Sequence, residues 1–197
     1  SPAIGAQRAS CLDRKEVAHL VWASPERSSI HAVSIDSSSD TAGPSRRVWG
    51  APGRVLHVRA DVLQVEETDA DVAVATVLCH DDVNDIFHEA KINLATGEAF
   101  APEQKVTQVG SGFLEVIGST MSREGAVSYL FAKIDGTVVY GPPGLSELRP
   151  LSAEYARPLT KAMFPVIIAS SPLAQEPGVT LVYIREGKSI ERVRLAE

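Results

Sequence analysis

Apolar-rich runs of four to eleven residues, several of them alternating with polar positions, recur along this chain, separated by polar or glycine- and proline-containing turns. That period of two is the mark of half-buried β-strands. Val17 to Ala23 (VAHLVWA), Ile30 to Asp36 (IHAVSID) and Arg47 to Gly50 are expected as strands, with Ser24-Pro25 and Ser37 to Ser45 as the turns between them. Val55 to Val65, Val72 to Leu78, Ile86 to Asn93 and Ala99 onward continue the pattern. Phe113 to Thr120, Ala126 to Ile134, Thr137 to Tyr140, Phe164 to Ala169, Val179 to Ile184 and Ile190 to Leu195 complete it. Thr96-Gly97 and Asp135-Gly136 supply hairpin chemistry, because glycine accepts the positive φ that tight hairpins need.

Three stretches read less simply. Ala3 to Ala9 suits an edge strand, whereas Leu12, Glu16, His19, Leu20 and Ala23 have the spacing of a short helix. Val83, Ile86, Phe87 and Ala90 also fall at helical spacing, with Asp82 placed to cap them. The strand reading is preferred there because the similar segments Ile30 to Asp36 and Val127 to Asp135 lack such spacing. Between Leu145 and Lys161, Pro150 and Pro158 leave room for one short helix at most.

Short similarities recur along the chain. Ile35, Ile92, Ile134 and Ile184 each close an alternating segment just before a turn, at separations of 57, 42 and 50 residues. Each segment is followed by another strand and often by Gly and Pro. A period of ~40–50 residues holding three or four strands is that of a propeller blade. One such sheet cannot cover both of its faces, and stacking sheets around an axis does so. The expected fold is therefore a single all-β domain over residues 1–197, a small β-propeller of about four blades, with a β-sandwich or barrel as the alternative. A further possibility on the same logic is a larger ring completed by a second copy.

Composition narrows the function. The chain is 44% hydrophobic and carries a net charge of −6, with its nineteen basic residues scattered. Nucleic acid and anionic membranes both select a concentrated basic face, and none is visible, so neither is expected as a partner. No apolar run is long enough to span a bilayer. Two cysteines, Cys11 and Cys79, are expected to form a disulfide. Together with a start at Ser1-Pro2-Ala3 without Met, this points to a secreted, extracellular protein, with the cytoplasm as the alternative.

Candidate chemistry concentrates in Cys79 to Glu89 (CHDDVNDIFHE), where His80, Asp82, Asp85 and His88 form the densest group of potential ligands. Carboxylates and imidazoles can hold a divalent cation, and a turn would bring Asp82, Asp85 and His88 together. The spacing matches no metal loop, and the glycine and terminal glutamate of an EF-hand are missing. There is no Gly-x-Ser-x-Gly and no phosphate-binding loop; a Ser-His-Asp group would have to be assembled in three dimensions. Trp49, beside Arg46-Arg47, is a further candidate anchor for a partner. The reading that follows is a non-catalytic module presenting loops to a protein or carbohydrate partner, without a cofactor. A hydrolase with a site near His80 to His88, metal-assisted or not, is the alternative.

Overall fold

A computed structural model describes residues 7–39, 41–65, 70–107, 112–122, 125–133, 135, 137–145, 148–150, 167–170, 179–185 and 189–195. The protein is all-β, as its alternation demands. Its strands pair antiparallel throughout and divide into two compact units, Ser1–Val109 and Gly110–Glu197.

The first unit holds two sheets. Strands β1 (Arg8–Leu12), β2 (Val17–Ala23), β3 (Ser29–Asp36) and β4 (Thr41–Ala42) lie side by side in chain order, and β5 (Arg46–Gly50) also pairs with β3. The second sheet is the meander β6 (Arg54–Val65), β7 (Ala70–Asp81), β8 (Ile86–Asn93) and β9 (Ala99–Thr107). The helical spacings of Leu12–Ala23 and Val83–Ala90 are overturned: β1, β2 and β8 are extended, and Val83 projects into solvent. Burial of Phe87 and Ile92 in a strand defeats a pattern that a short apolar run cannot settle alone.

The two sheets share one core. Val21, Ala23, Ile30, Ala32 and Val48 come from the first sheet, and Val55, Val58, Ala73, Val77 and Ile92 are among the contributors from the second. Small and β-branched side chains dominate, which suits close approach of two pleated faces. Arg46 ties the sheets at one edge by donating to the carbonyls of Leu94 and Ala95. The first sheet has one open face. Register places Arg8, Trp22 and His31 in one row across it, then Ser10, Leu20 and Val33, then Leu12, Ala18 and Ile35. None of these is fully buried, and Leu12 and Leu20 are 61% and 39% exposed. The second sheet has no open face along β7, since every residue from Ala73 to His80 is buried.

The isoleucines that mark the sequence repeat therefore differ. Ile35 sits half-buried on the open face, and Ile92 lies in the core. Ile134 lies outside the described residues, and Ile184 is described in backbone only.

The second unit contains the meander β10 (Phe113–Met121), β11 (Val127–Lys133), β12 (Val138–Gly141) and β13 (Arg149–Pro150), with a single 3-10 turn at Pro143–Leu145 between the last two. Its centre is β11, where Val127 to Ala132 are all buried, Tyr129 lying 5.8 Å from Phe131 between ring centres. Strands β14 (Ile167–Ser170), β15 (Val179–Arg185) and β16 (Ser189–Leu195) form a three-stranded meander. The short helix considered near residues 145–161 falls mostly outside the described residues.

Candidate functional site

The β7–β8 connection is built from the inside. Asp81 ends β7, and its Oδ1 accepts the backbone N–H groups of Val83 (3.0 Å) and Asn84 (3.2 Å). Its Oδ2 accepts the Asn84 side-chain amide at 2.5 Å. This is an Asx turn, in which a short carboxylate does the work of a backbone acceptor. The Asn84 side-chain bond is the main reason that the Asp81 carboxyl is held below its ordinary range; partial burial opposes it, and the Asn84 and Val83 N–H groups reinforce it. Asp85 adopts a left-handed φ of 54°, which aspartate tolerates better than most residues.

His80 braces this turn from below. Its ring is 1% exposed, with Nδ1 2.8 Å from Asp82 Oδ1 and Nε2 3.2 Å from Asp85 Oδ1. Phe87 packs against the imidazole at 4.8 Å between ring centres. Arg54 Nε lies 3.7 Å from Asp82 Oδ2 and adds a cation at the rim. The result is a loop whose two flanking carboxylates are fixed by one buried ring. At its tip Val83 is 91% exposed.

Three of the sequence candidates, His80, Asp82 and Asp85, are thus brought together. His88 is not with them. Register pairs His80 with Phe87 and Cys79 with His88, so the two histidines occupy opposite faces of the sheet. His88 Nδ1 instead lies 2.8 Å from Glu103 Oε1, and its buried Nε2 has no hydrogen-bond partner. Among the described residues no three His, Cys, Asp or Glu side chains converge as a metal-ligand set. Trp49 is half-buried against the shared core and pairs with Ile30, so its ring is partly spent on packing.

The expected Cys11–Cys79 disulfide is absent, and both residues are free thiols. Burial, with the nearby carboxylates of Asp61 and Asp13, pushes the Cys11 thiol up to about 11. Burial pushes Cys79 up to about 12. The separation follows from register. Asp61, beside Cys11, pairs with Val74 on β7, and Cys79 lies five residues beyond Val74. Five strand residues span roughly 16 Å at about 3.3 Å each. A disulfide needs Cα atoms within about 7 Å.

A second polar group was invisible in the sequence. The β1–β2 turn folds on Asp13, whose Oδ1 accepts the N–H groups of Lys15 and Val17, both at 2.9 Å. Asp13 Oδ2 lies 3.3 Å from His19 Nε2, and His19 Nδ1 lies 3.0 Å from Ser34 Oγ. Burial alone would raise the Asp13 carboxyl, but the Val17 N–H, the His19 ring and the Lys15 N–H outweigh it and hold it low. Acid, imidazole and hydroxyl stand in the order of an activated nucleophile. A neighbouring pocket is lined by Asp13 and His19 but not by Ser34. The three side chains form a hydrogen-bonded polar network that fixes the turn. His19 in an otherwise apolar strand was the only hint of it, and its partner Ser34 depends on the β2–β3 register.

No protein-family model and no curated protein matches this chain. The geometry of the molecule carries the functional reading.

Proposed function

We propose that this protein is a non-catalytic interaction module, built of blade-like antiparallel meanders, that presents the Asp81–Asp85 loop to a protein partner. The observation that carries the reading is Val83, an apolar β-branched residue held 91% exposed at the tip of a turn braced by a buried histidine. A free loop would lose conformational entropy on binding, and this one has already been ordered by its own scaffold. Burying one valine against a partner contributes about 1.5–3 kcal/mol. The surrounding Asp81, Asp82 and Asp85 favour a partner with an apolar notch rimmed by basic groups.

Several features support a propeller-like arrangement. Within the sheet β6–β9 and the sheet β10–β13, strand order follows chain order. Strand β7 is buried on both of its faces from Ala73 to His80, as an inner strand of a blade is. Protein is favoured over carbohydrate because sugar recognition uses free aromatic faces. Trp22 is half-buried and stacked on His31 at 6.0 Å, and Trp49 is half-buried against the core. A secreted location remains part of the proposal, without the support of a disulfide.

The test is site-specific photocrosslinking. A photoreactive residue at position 83 is compared with one at Thr96, the exposed tip of the next hairpin, in extract or medium from the native source. A discrete adduct formed from position 83, absent from position 96 and lost on Asp81→Ala, supports the reading. Equal or no labelling from the two positions contradicts it.

A further inference from the structure

At one end of the layer between the two sheets of the first unit lies a pocket of about 390 Å³. The β1–β2 turn forms one wall with Asp13, Arg14 and Lys15. The start of β7 and the turn after β8 form the other, with Asp71, Asn93 and Ala95. The volume is within the ordinary range for small-molecule sites.

What such a pocket can bind depends on which polar groups remain uncommitted. Its carboxylates are engaged. Asp13 receives two backbone N–H groups and contacts the His19 ring. Asp71, 12% exposed in its side chain, takes Arg14 Nε at 2.8 Å. His19 has a partner on each ring nitrogen. The donors are in a different state. Asn93 uses Oδ1 to accept the N–H groups of Ala95 (2.8 Å) and Thr96 (3.2 Å), which fixes its amide and leaves Nδ2 without a partner among the described residues. The Lys15 ammonium likewise has no ion pair or hydrogen bond among the described residues. Between these donors, Val72, Ala73 and Ala95 supply an apolar wall.

We infer that this pocket binds a small organic anion, its acceptor oxygens on the Lys15 ammonium and the Asn93 amide and its short aliphatic part on Val72, Ala73 and Ala95. The carboxylates of the pocket do not repel it strongly, because each is neutralised or hydrogen-bonded within the fold. The site is separate from the Asp81–Asp85 loop, and either can exist without the other.

The test uses butyrate as the probe, with butylamine as a control of the same length and opposite charge, followed by amide chemical shifts of the full chain. Butyrate is expected to shift the amides of residues 13–17 and 93–96 with a dissociation constant of about 1 mM. Butylamine is expected to leave them in place. Asn93→Asp retains the acceptor that holds the turn and removes the donor, so it separates folding from binding. It and Lys15→Gln are each expected to weaken butyrate by about tenfold or more, with native tryptophan fluorescence. No localised shift with butyrate, an equal response to butylamine, or undiminished binding in both well-folded variants overturns the inference.

Discussion

His57 gives the packing of the first unit a measurable pH signature. It lies on β6 at the irregularity between Val55 and His57, half-buried, with Arg59 close by. Removal from water, with a further contribution from the Arg59 guanidinium, lowers its pKa from 6.5 to about 4. The unfolded chain therefore takes up this proton near pH 6.5, and the folded chain does not until about pH 4. Between those values the unfolded state holds more protons, so stability rises with pH. The contribution is complete above about 6.5 and is lost as pH falls toward 4. Full expression of the difference would amount to roughly 3 kcal/mol, and water on part of the ring reduces the expectation to about 2 kcal/mol. Both tryptophans, Trp22 and Trp49, belong to the first unit, so their fluorescence during urea unfolding reports that unit selectively. Wild type is expected to lose about 2 kcal/mol more than His57→Leu between pH 7 and pH 4. Parallel pH profiles for the two proteins would refute the burial of this ring as the source of the effect.

Three shorter predictions follow from the same packing. Gly53→Ala would place a methyl group 2.6 Å from the backbone nitrogen of Asp81 and closer still to the carbonyl oxygen of His80; a loss of at least about 2 kcal/mol in the same fluorescence assay is expected, as for overpacked sites. Cys79, with its thiol near 12, is expected to resist alkylation at pH 8 in native protein, and both cysteines to react in denaturant without prior reduction. Mass spectrometry reads the adducts, and a denatured, unreduced chain that takes up none would contradict the free thiols. Because the Asp13 carboxyl is held low, its stabilisation of the β1–β2 turn is present above the ordinary carboxylate range and lost as pH falls below it. The stability gap between wild type and Asp13→Ala is expected to narrow as pH falls below the ordinary carboxylate range, and a gap that stays constant into acid would contradict this.

The elements of this fold were legible because their causes are local. VAHLVWA is an apolar, β-leaning run that ends at Ser24-Pro25, and β2 spans Val17–Ala23 as that run predicts. The Asn93–Gly97 turn is likewise set by neighbouring residues, through the Asn93 side chain and a glycine with φ of 79°. What the sequence concealed depends on register. The spacing of Asp82, Asp85 and His88 allowed three ligands on one loop, yet pairing of His80 with Phe87 sends His88 to the other face. Two cysteines suggested a bond, and only the strand pairing reveals how far apart they lie. Alternation also fails where a sheet is covered on both sides. The continuous burial from Ala73 to His80 leaves no period to read, so the sequence could not show which side of β7 packs on the first sheet. Similarly, Ile35 and Ile92 both close strands before a turn and yet lie in unlike environments.

The central claim is that the fold itself keeps the Asp81–Asp85 loop rigid while leaving its apolar tip in water. Backbone ¹⁵N relaxation of the free protein measures this directly. The brace of His80 on Asp82 and Asp85, with the Asx turn at Asp81, predicts order parameters for residues 82–85 of about 0.85, equal to those of the flanking strands. Values below about 0.6 across those residues would mean that the loop is not held, and would contradict the account.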